Sequence, residues 1–194
     1  MMNWNWQDEW AVIKSSIPEW ESFIFSKEIF WPLHFGKDFV YRGDIKPRLS
    51  AGRLLIAIYF LEYFQKSNNE IENTVHKEFQ VINDLKSHWK SNWTKKVLAE
   101  IPLRLRQWGD IIQQIRKSSM HNTEFQNQVQ IRLMLDCLIN ESPIDVPDQI
   151  KNQVFLLDQQ LKINSEPSSF IWNEEVSSAF DRDKFWYLYS SIKS

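Results

Sequence analysis

Glycine is scarce in this chain, with four residues in 194, and the seven prolines fall mostly where elements would start or stop. Proteins built from sheets need glycine at their tight turns, so this punctuation argues against a β fold and for helices joined by short loops. A lone cysteine, Cys137, excludes an internal disulfide. The opening segment MMNWNWQDEW carries acids where a secretion signal would be positive, which leads to the expectation of a cytoplasmic protein. Long apolar runs are missing too. The run Leu54 to Leu61 is cut by Glu62 after eight residues. It would rise about 12 Å as helix, whereas a span needs about 20 residues, so no membrane segment is expected. The preceding RLSAGR lacks the paired glycines and the Lys-Ser/Thr step of a phosphate loop.

What is abundant is large and apolar. Leu, Ile, Val and Phe number 58, and there are ten Trp. A chain of this length and greasiness buries about 70% of its unfolded surface, and one domain spanning 1–194 is the simplest arrangement. Charge is uneven beneath a net of −2: residues 86–117 hold eight bases against Glu100 and Asp110, and residues 136–194 hold ten acids against five bases. A basic stretch of this kind suits an anionic partner, or an acidic face of the same molecule.

The periodicity predicts the elements. Trp6, Trp10 and Ile13 mark one helix, and SSIPEW offers a Ser cap with Pro18 in the first turn of a second, ending at Trp31–Pro32. FVYRG reads as a short extended piece, and Arg42-Gly43-Asp44 as a polar turn. From a Ser50 cap to Lys66 the pattern is apolar on every side, as in a helix buried among others. Ile71, Val75, Phe79, Ile82, Leu85, Trp89 and Trp93 form a single stripe, with Glu72, Lys77, Gln80 and Asp84 opposite. After a short turn at TKKVLAE, a further helix carries Ile101, Leu105, Trp108, Ile112 and Ile115, with Pro102 in its first turn. NTEFQNQVQIRLMLDCLINES, with a Thr or Asn cap, predicts a second buried helix. Ile150, Val154, Leu157 and Leu161 predict another, closed by a loop at NSEPSS, and the aromatic tail allows two short helices at most.

Few residues assemble into chemistry. Glu72 with His76 and Asp84 with His88 are pairs four apart, but two ligands make no metal site, and no cofactor motif occurs. His34 reads as a loop or core histidine, and Cys137, with no cation beside it, as a core filler. Arg132 and Asp136 lie on one side of the second buried helix and must pair with each other or with groups elsewhere. Arg116 and His121, in RKSSMH, show the Arg-x4-His spacing that resembles the HEPN family of all-helical ribonucleases. In such a site Arg holds a phosphate while His moves a proton. Lys117 departs from the polar Asn, His or Asp of that family, and eight Arg with four His make about half a match expected by chance.

The expectation is therefore an all-α, single-domain bundle of about seven or eight helices, with residues 50–66 and 124–140 innermost. Its expected function is that of a non-enzymatic interaction or adaptor module that binds a protein partner or self-associates, without cofactor or metal. The terminal aromatics Trp4, Trp6, Trp172, Trp186 and Tyr189 are its candidate docking residues. The alternative is a nucleic-acid-binding subunit of a ribonucleoprotein or defence complex, in which Lys90, Lys95, Lys96, Arg104 and Arg106 neutralise phosphates. A HEPN-like ribonuclease is the third reading.

Overall fold

A computed structural model describes residues 4–36, 47–67, 69–142 and 144–193, and the protein is all-α, with one short two-stranded sheet among these residues. FVYRG and the Arg42–Asp44 turn lie outside the described residues. Where one domain was expected, the residues gather into two compact units: Asn5–Glu100, and Trp4 together with the described residues from Ile101 onward.

In the first unit, α1 spans Trp6–Phe25, and the oxygen of the Asn5 side chain caps it by accepting the Asp8 N–H at 2.9 Å. The expected break at SSIPEW is absent. Ser16 Oγ donates back to the Val12 carbonyl at 2.6 Å instead of starting a new helix, and Pro18 lies inside α1. Pro18 is exposed, so the carbonyl it leaves without a donor can be hydrated, while Val12, Ile13, Trp20 and Phe23 are buried on either side of it. The helix also stops earlier than Trp31. Ser26 turns the chain out, its N–H and Oγ both donating to the Phe23 carbonyl at 3.2 and 2.9 Å.

Helix α2, Ala51–Ser67, is buried at every position from 51 to 58, as the apolar run from Leu54 demands, with Arg53 the one charged residue taken in. Ser50 is its cap, accepting the Arg53 N–H at 3.2 Å. Helix α3, Asn69–His88, buries Ile71, Val75 and Ile82 and exposes Glu72, Lys77, Gln80 and Asp84, the two faces read from the sequence. Helix α4 runs Lys90–Arg116, and backbone bonds at Trp89 and Trp93 carry helical register into it. TKKVLAE is therefore helix interior, and Pro102 is not in a first turn but mid-helix, again at an exposed position.

In the second unit, Ile101, Leu105, Trp108, Ile112 and Ile115 of α4 are all buried. The next predicted helix is split at Val129 into α5, Asn122–Gln128, and α6, Gln130–Glu141. His121, not Asn122 or Thr123, takes the cap position, and Asn122 is turned to other use: its amide brackets Ile192, accepting N–H at 2.7 Å and donating to the carbonyl at 3.3 Å. Residues 124–140 are innermost along one face only, since Glu124, Asn127 and Asn140 are exposed. Helix α7 covers Asp148–Asn164 and buries Val154, Asp158 and Leu161. The expected loop after it contains β1, Ser165–Pro167, antiparallel to β2, Ser190–Ile192, with Ser165 opposite Ile192. Three-residue strands are too short to show alternation in sequence. Two 3₁₀ turns, Glu174–Ala179 and Trp186–Tyr189, account for the short helices expected of the tail. No helix among the described residues is long and apolar enough to cross a membrane.

Candidate functional site

The terminal aromatics do not form one surface. Trp4 and Trp172 are each 2% exposed and pack on each other, ring centroids 5.2 Å apart, in the second unit. Phe170 joins them to the rest of the tail, 6.1 Å from Trp172, 5.8 Å from Phe180 and 5.2 Å from Tyr189. Tyr189 is half-buried and donates its hydroxyl to the Phe180 carbonyl at 2.8 Å. Burial, followed by the nearby Glu174 charge, raises its pKa above the usual phenol value. Trp186 is half-buried beneath the Lys162 ammonium, 4.7 Å from its ring. Trp6 lies in the first unit beside Trp10, with 6.3 Å between the rings. Trp4, Trp172 and Tyr189 thus serve a core built by the chain itself.

The basic set is also divided. Lys90, Lys95 and Arg106 are exposed, but Lys96 and Arg104 are buried. Lys96 Nζ sits 4.4 Å from the centre of the Phe23 ring and donates to the carbonyls of Ser26 and Glu28 at 3.0 and 2.7 Å. It thereby closes the chain leaving α1, and burial lowers its pKa. Arg104 donates to Gln107 Oε1 at 3.0 Å. Two of the five cations are committed to the fold.

Arg132 and Asp136 belong to a larger network. Arg132 donates through Nε and Nη2 to Asp158 at 3.0 and 2.9 Å and through Nη1 to Asp136. Trp108 Nε1 donates to Asp158 at 3.2 Å, and Tyr187 OH donates to Asp136 at 2.7 Å. The guanidinium also lies 5.0 Å from the centre of the Tyr187 ring. Burial favours loss of its proton, but the hydrogen bonds it donates to Asp158 and the two carboxylate charges outweigh this and raise its pKa. Burial, then the Asp136 charge, pushes Tyr187 well above the usual phenol range. Both carboxylates are held by donors from the chain, so the network clamps α4, α6, α7 and the tail together.

Sequence reasoning missed Asp158, although its spacing from Val154 and Leu161 puts it on the buried side of α7. It missed two acids in the first unit as well. Glu9 receives Arg53 through both nitrogens at 2.6 and 2.9 Å, and burial raises its pKa against the pull of that cation. Glu100, fully buried, accepts from Ser50 Oγ at 2.8 Å and from the Gly52 N–H at 2.9 Å, which places a carboxylate at the start of α2.

The remaining candidates lie apart from any such organisation. Arg116 ends α4 and His121 precedes α5; both are exposed, and Ser118 between them has φ 52°. His34 is exposed on a loop, its Nδ1 2.8 Å from Glu19, which also accepts from Trp31 Nε1 at 2.9 Å. Those two hydrogen bonds lower the Glu19 pKa. His76 and His88 are on the solvent side of α3, and among the described residues no three His, Cys, Asp or Glu gather as a metal ion would require. A cavity of about 290 Å³ in the second unit is lined by Asn122, Gln126, Phe170 and four serines. Several of its polar groups are already bonded within the chain: Asn122 to Ile192, Ser168 to the Ser169 carbonyl and Ser190 to the Trp186 carbonyl.

The outer face of α7 is different. Phe155, Leu156 and Ile163 are 59%, 61% and 63% exposed, on the side of the helix that runs from the flank of the buried Val154, Asp158 and Leu161 to the face opposite them. Asn152 and Gln159, uncharged, share that side. Acids flank it at the start of the helix, Asp145 and Asp148 with Lys151 at 3.5 and 3.9 Å, and Lys162 flanks it near the end. Comparison with known protein families, with characterised proteins and with solved structures finds no match to this chain.

Proposed function

We propose that this protein is a helical interaction module of the cytoplasm that docks a partner protein on the outer face of α7. The observation that carries the reading is the exposure of Phe155, Leu156 and Ile163 together on one side of one helix. Apolar side chains grouped this way on a protein surface mark interaction sites far more often than scattered ones do. The group extends about 12 Å along the axis, the footprint of an amphipathic helix laid across it. Covering it returns roughly 3–5 kcal/mol before ordering costs, given that each side chain is a little over half exposed.

The charge pattern sets the partner's chemistry. Asp145 and Asp148 outnumber Lys151 at one end, and Lys162 stands near the other. The fitting partner is a helix that is apolar on its contact face, basic where it meets Asp145 and Asp148, and acidic where it meets Lys162. The test is a double substitution, Leu156→Glu with Ile163→Glu, which touches only exposed positions. Circular dichroism and melting temperature should be unchanged, while capture of amphipathic helical peptides of that charge pattern should fall at least tenfold. Equal capture by both proteins would refute the reading. Captured material absorbing at 260 nm and stripped by salt would replace it with the nucleic-acid one through Lys90, Lys95 and Arg106.

A further inference from the structure

Trp4 is held as a bound ligand is held. Its backbone N–H donates to Asn173 Oδ1 at 3.0 Å, and its carbonyl accepts from Asn173 Nδ2 at 3.2 Å. One side-chain amide thus reads both polar groups of a single residue 169 positions away, as a neighbouring strand would, without regard to that residue's side chain. The indole supplies the specificity. It lies against Trp172 with 5.2 Å between centroids, and Trp172 is itself fixed, with Nε1 donating to the Gln126 carbonyl at 2.7 Å and Phe170 and Phe180 at 6.1 and 5.7 Å. A rigid aromatic wall beside a side-chain amide is a receptor for an extended segment that carries tryptophan.

The occupant comes from the opposite end of the sequence. Trp4 groups with the residues from Ile101 onward, yet Asn5, the extended residue after it (φ −139°, ψ 152°), caps α1. A segment held through Trp4 and joined to α1 through one extended residue can be replaced by the same segment of another copy, because its contacts with Trp172 and Asn173 are remade in trans. We infer that the Trp172–Asn173 site is a receptor for tryptophan-bearing extended segments, filled in cis by Trp4 and open in trans to the Trp4 segment of a second copy. The tether favours the cis occupant at low concentration, so exchange shows itself when the chain is concentrated or its own arm is defective.

Two full-length variants separate the halves of the contact. Trp4→Ala keeps the receptor and loses the arm; Asn173→Ala keeps the arm and weakens the receptor. In analytical ultracentrifugation near 100 µM, as an order of magnitude, each variant alone should sediment as a monomer, and an equimolar mixture should form a 1:1 heterodimer. A mixture that sediments as the sum of its parts would overturn the inference. A labelled peptide of the sequence MMNWNWQD provides a second reading. It should bind Trp4→Ala at least tenfold more tightly than the intact chain, and a peptide with alanine at position 4 should not bind. Equal binding by both proteins, or by both peptides, would also overturn it. Should Trp4→Ala fail to fold, Trp4→Leu keeps an apolar plug and the same comparisons apply. Leu156 and Ile163 are intact in every variant, so failure here leaves the α7 reading untouched.

Discussion

Replacing Arg132 by Met tests the clamp directly, because the thioether fills most of the volume of the guanidinium stem and removes only the charge and the donors. The Arg132 side chain is 9% exposed, Asp158 12% and Asp136 23%. Its loss takes the fork from Asp158 and the bond to Asp136, and leaves two carboxylates facing each other in a largely dry setting. Breaking a buried pair by deleting one partner costs about 3–5 kcal/mol. Trp108 and Tyr187 remain as donors to the stranded acids, which favours the lower end, about 3 kcal/mol. That is a large share of the roughly 5–15 kcal/mol a domain possesses. Urea unfolding at pH 7, followed by circular dichroism and tryptophan fluorescence, should show the midpoint fall without a change in slope. Exchanging all three groups together, Arg132→Met with Asp136→Leu and Asp158→Leu, should recover part of the loss, because no charge is then left behind although Trp108 Nε1 and Tyr187 OH lose their acceptors. A loss under about 1 kcal/mol for Arg132→Met alone would refute the reasoning, and would mean that the guanidinium is free to serve a ligand.

The clamp also predicts an alkaline limit. Tyr187 holds its proton more tightly folded than unfolded, so its contribution is full below its ordinary value of 10.0 and is lost as pH rises beyond it. Tyr187→Phe should cost about 1–2 kcal/mol at pH 7 and flatten the decline of melting temperature from pH 9 to 11, the wild-type difference separating it from Lys96, whose lowered pKa acts in the opposite sense. Glu100→Ala should lower the unfolding free energy measured in urea by about 1–3 kcal/mol, since Ser50 Oγ and the Gly52 N–H lose their acceptor in the dry interior. Lys96→Ala should destabilise by about 1–2 kcal/mol, against less than about 0.5 for the exposed neighbour Lys95→Ala; equal effects would show that Lys96 does not hold the end of α1.

The elements legible in the sequence are those in which one strong signal repeats. The stripe Ile71 to Trp93, the stripe Ile101 to Ile115 and the run after Ser50 each repeat burial over many turns, and each lies where periodicity predicted. What failed were single-residue signals. Pro18 and Pro102 read as helix starts, and an interior proline costs about 3 kcal/mol. Burial of Trp20, Phe23 and Ile24 beyond Pro18, and of Leu105 and Trp108 beyond Pro102, outweighs that figure, and the helices run through. Of the candidate docking residues, Trp4 and Trp172 are buried and Trp6, Trp186 and Tyr189 half-buried, and a tryptophan near a terminus carries no mark of whether its own chain will cover it. Trp4 is covered by a residue 169 positions distant, and no local pattern encodes such a pairing. Conversely, Phe155 and Leu156 read as ordinary helix residues beside the stripe of Ile150, Val154 and Leu157, and only the fold shows them more than half exposed.

The buried charges explain how a chain so rich in interchangeable grease selects one arrangement. Apolar contact has no direction, and 58 Leu, Ile, Val and Phe residues offer many ways to stack the seven α-helices found among the described residues. Each buried acid removes most of them. Glu9 must meet Arg53, so α1 and α2 have one register; Glu100 must meet the start of α2, so α4 has one position along it; Asp158 and Asp136 must share Arg132, so α7, α6 and the tail close together or not at all. A shift of one turn in any of these strands a carboxylate in apolar surroundings, at a cost of several kcal/mol. The buried polar groups Glu9, Glu100, Asp136 and Asp158 are each taken up by donors of the chain, and the proposed docking face stands apart from them. The outer face of α7 has apolar area beyond what the fold consumes.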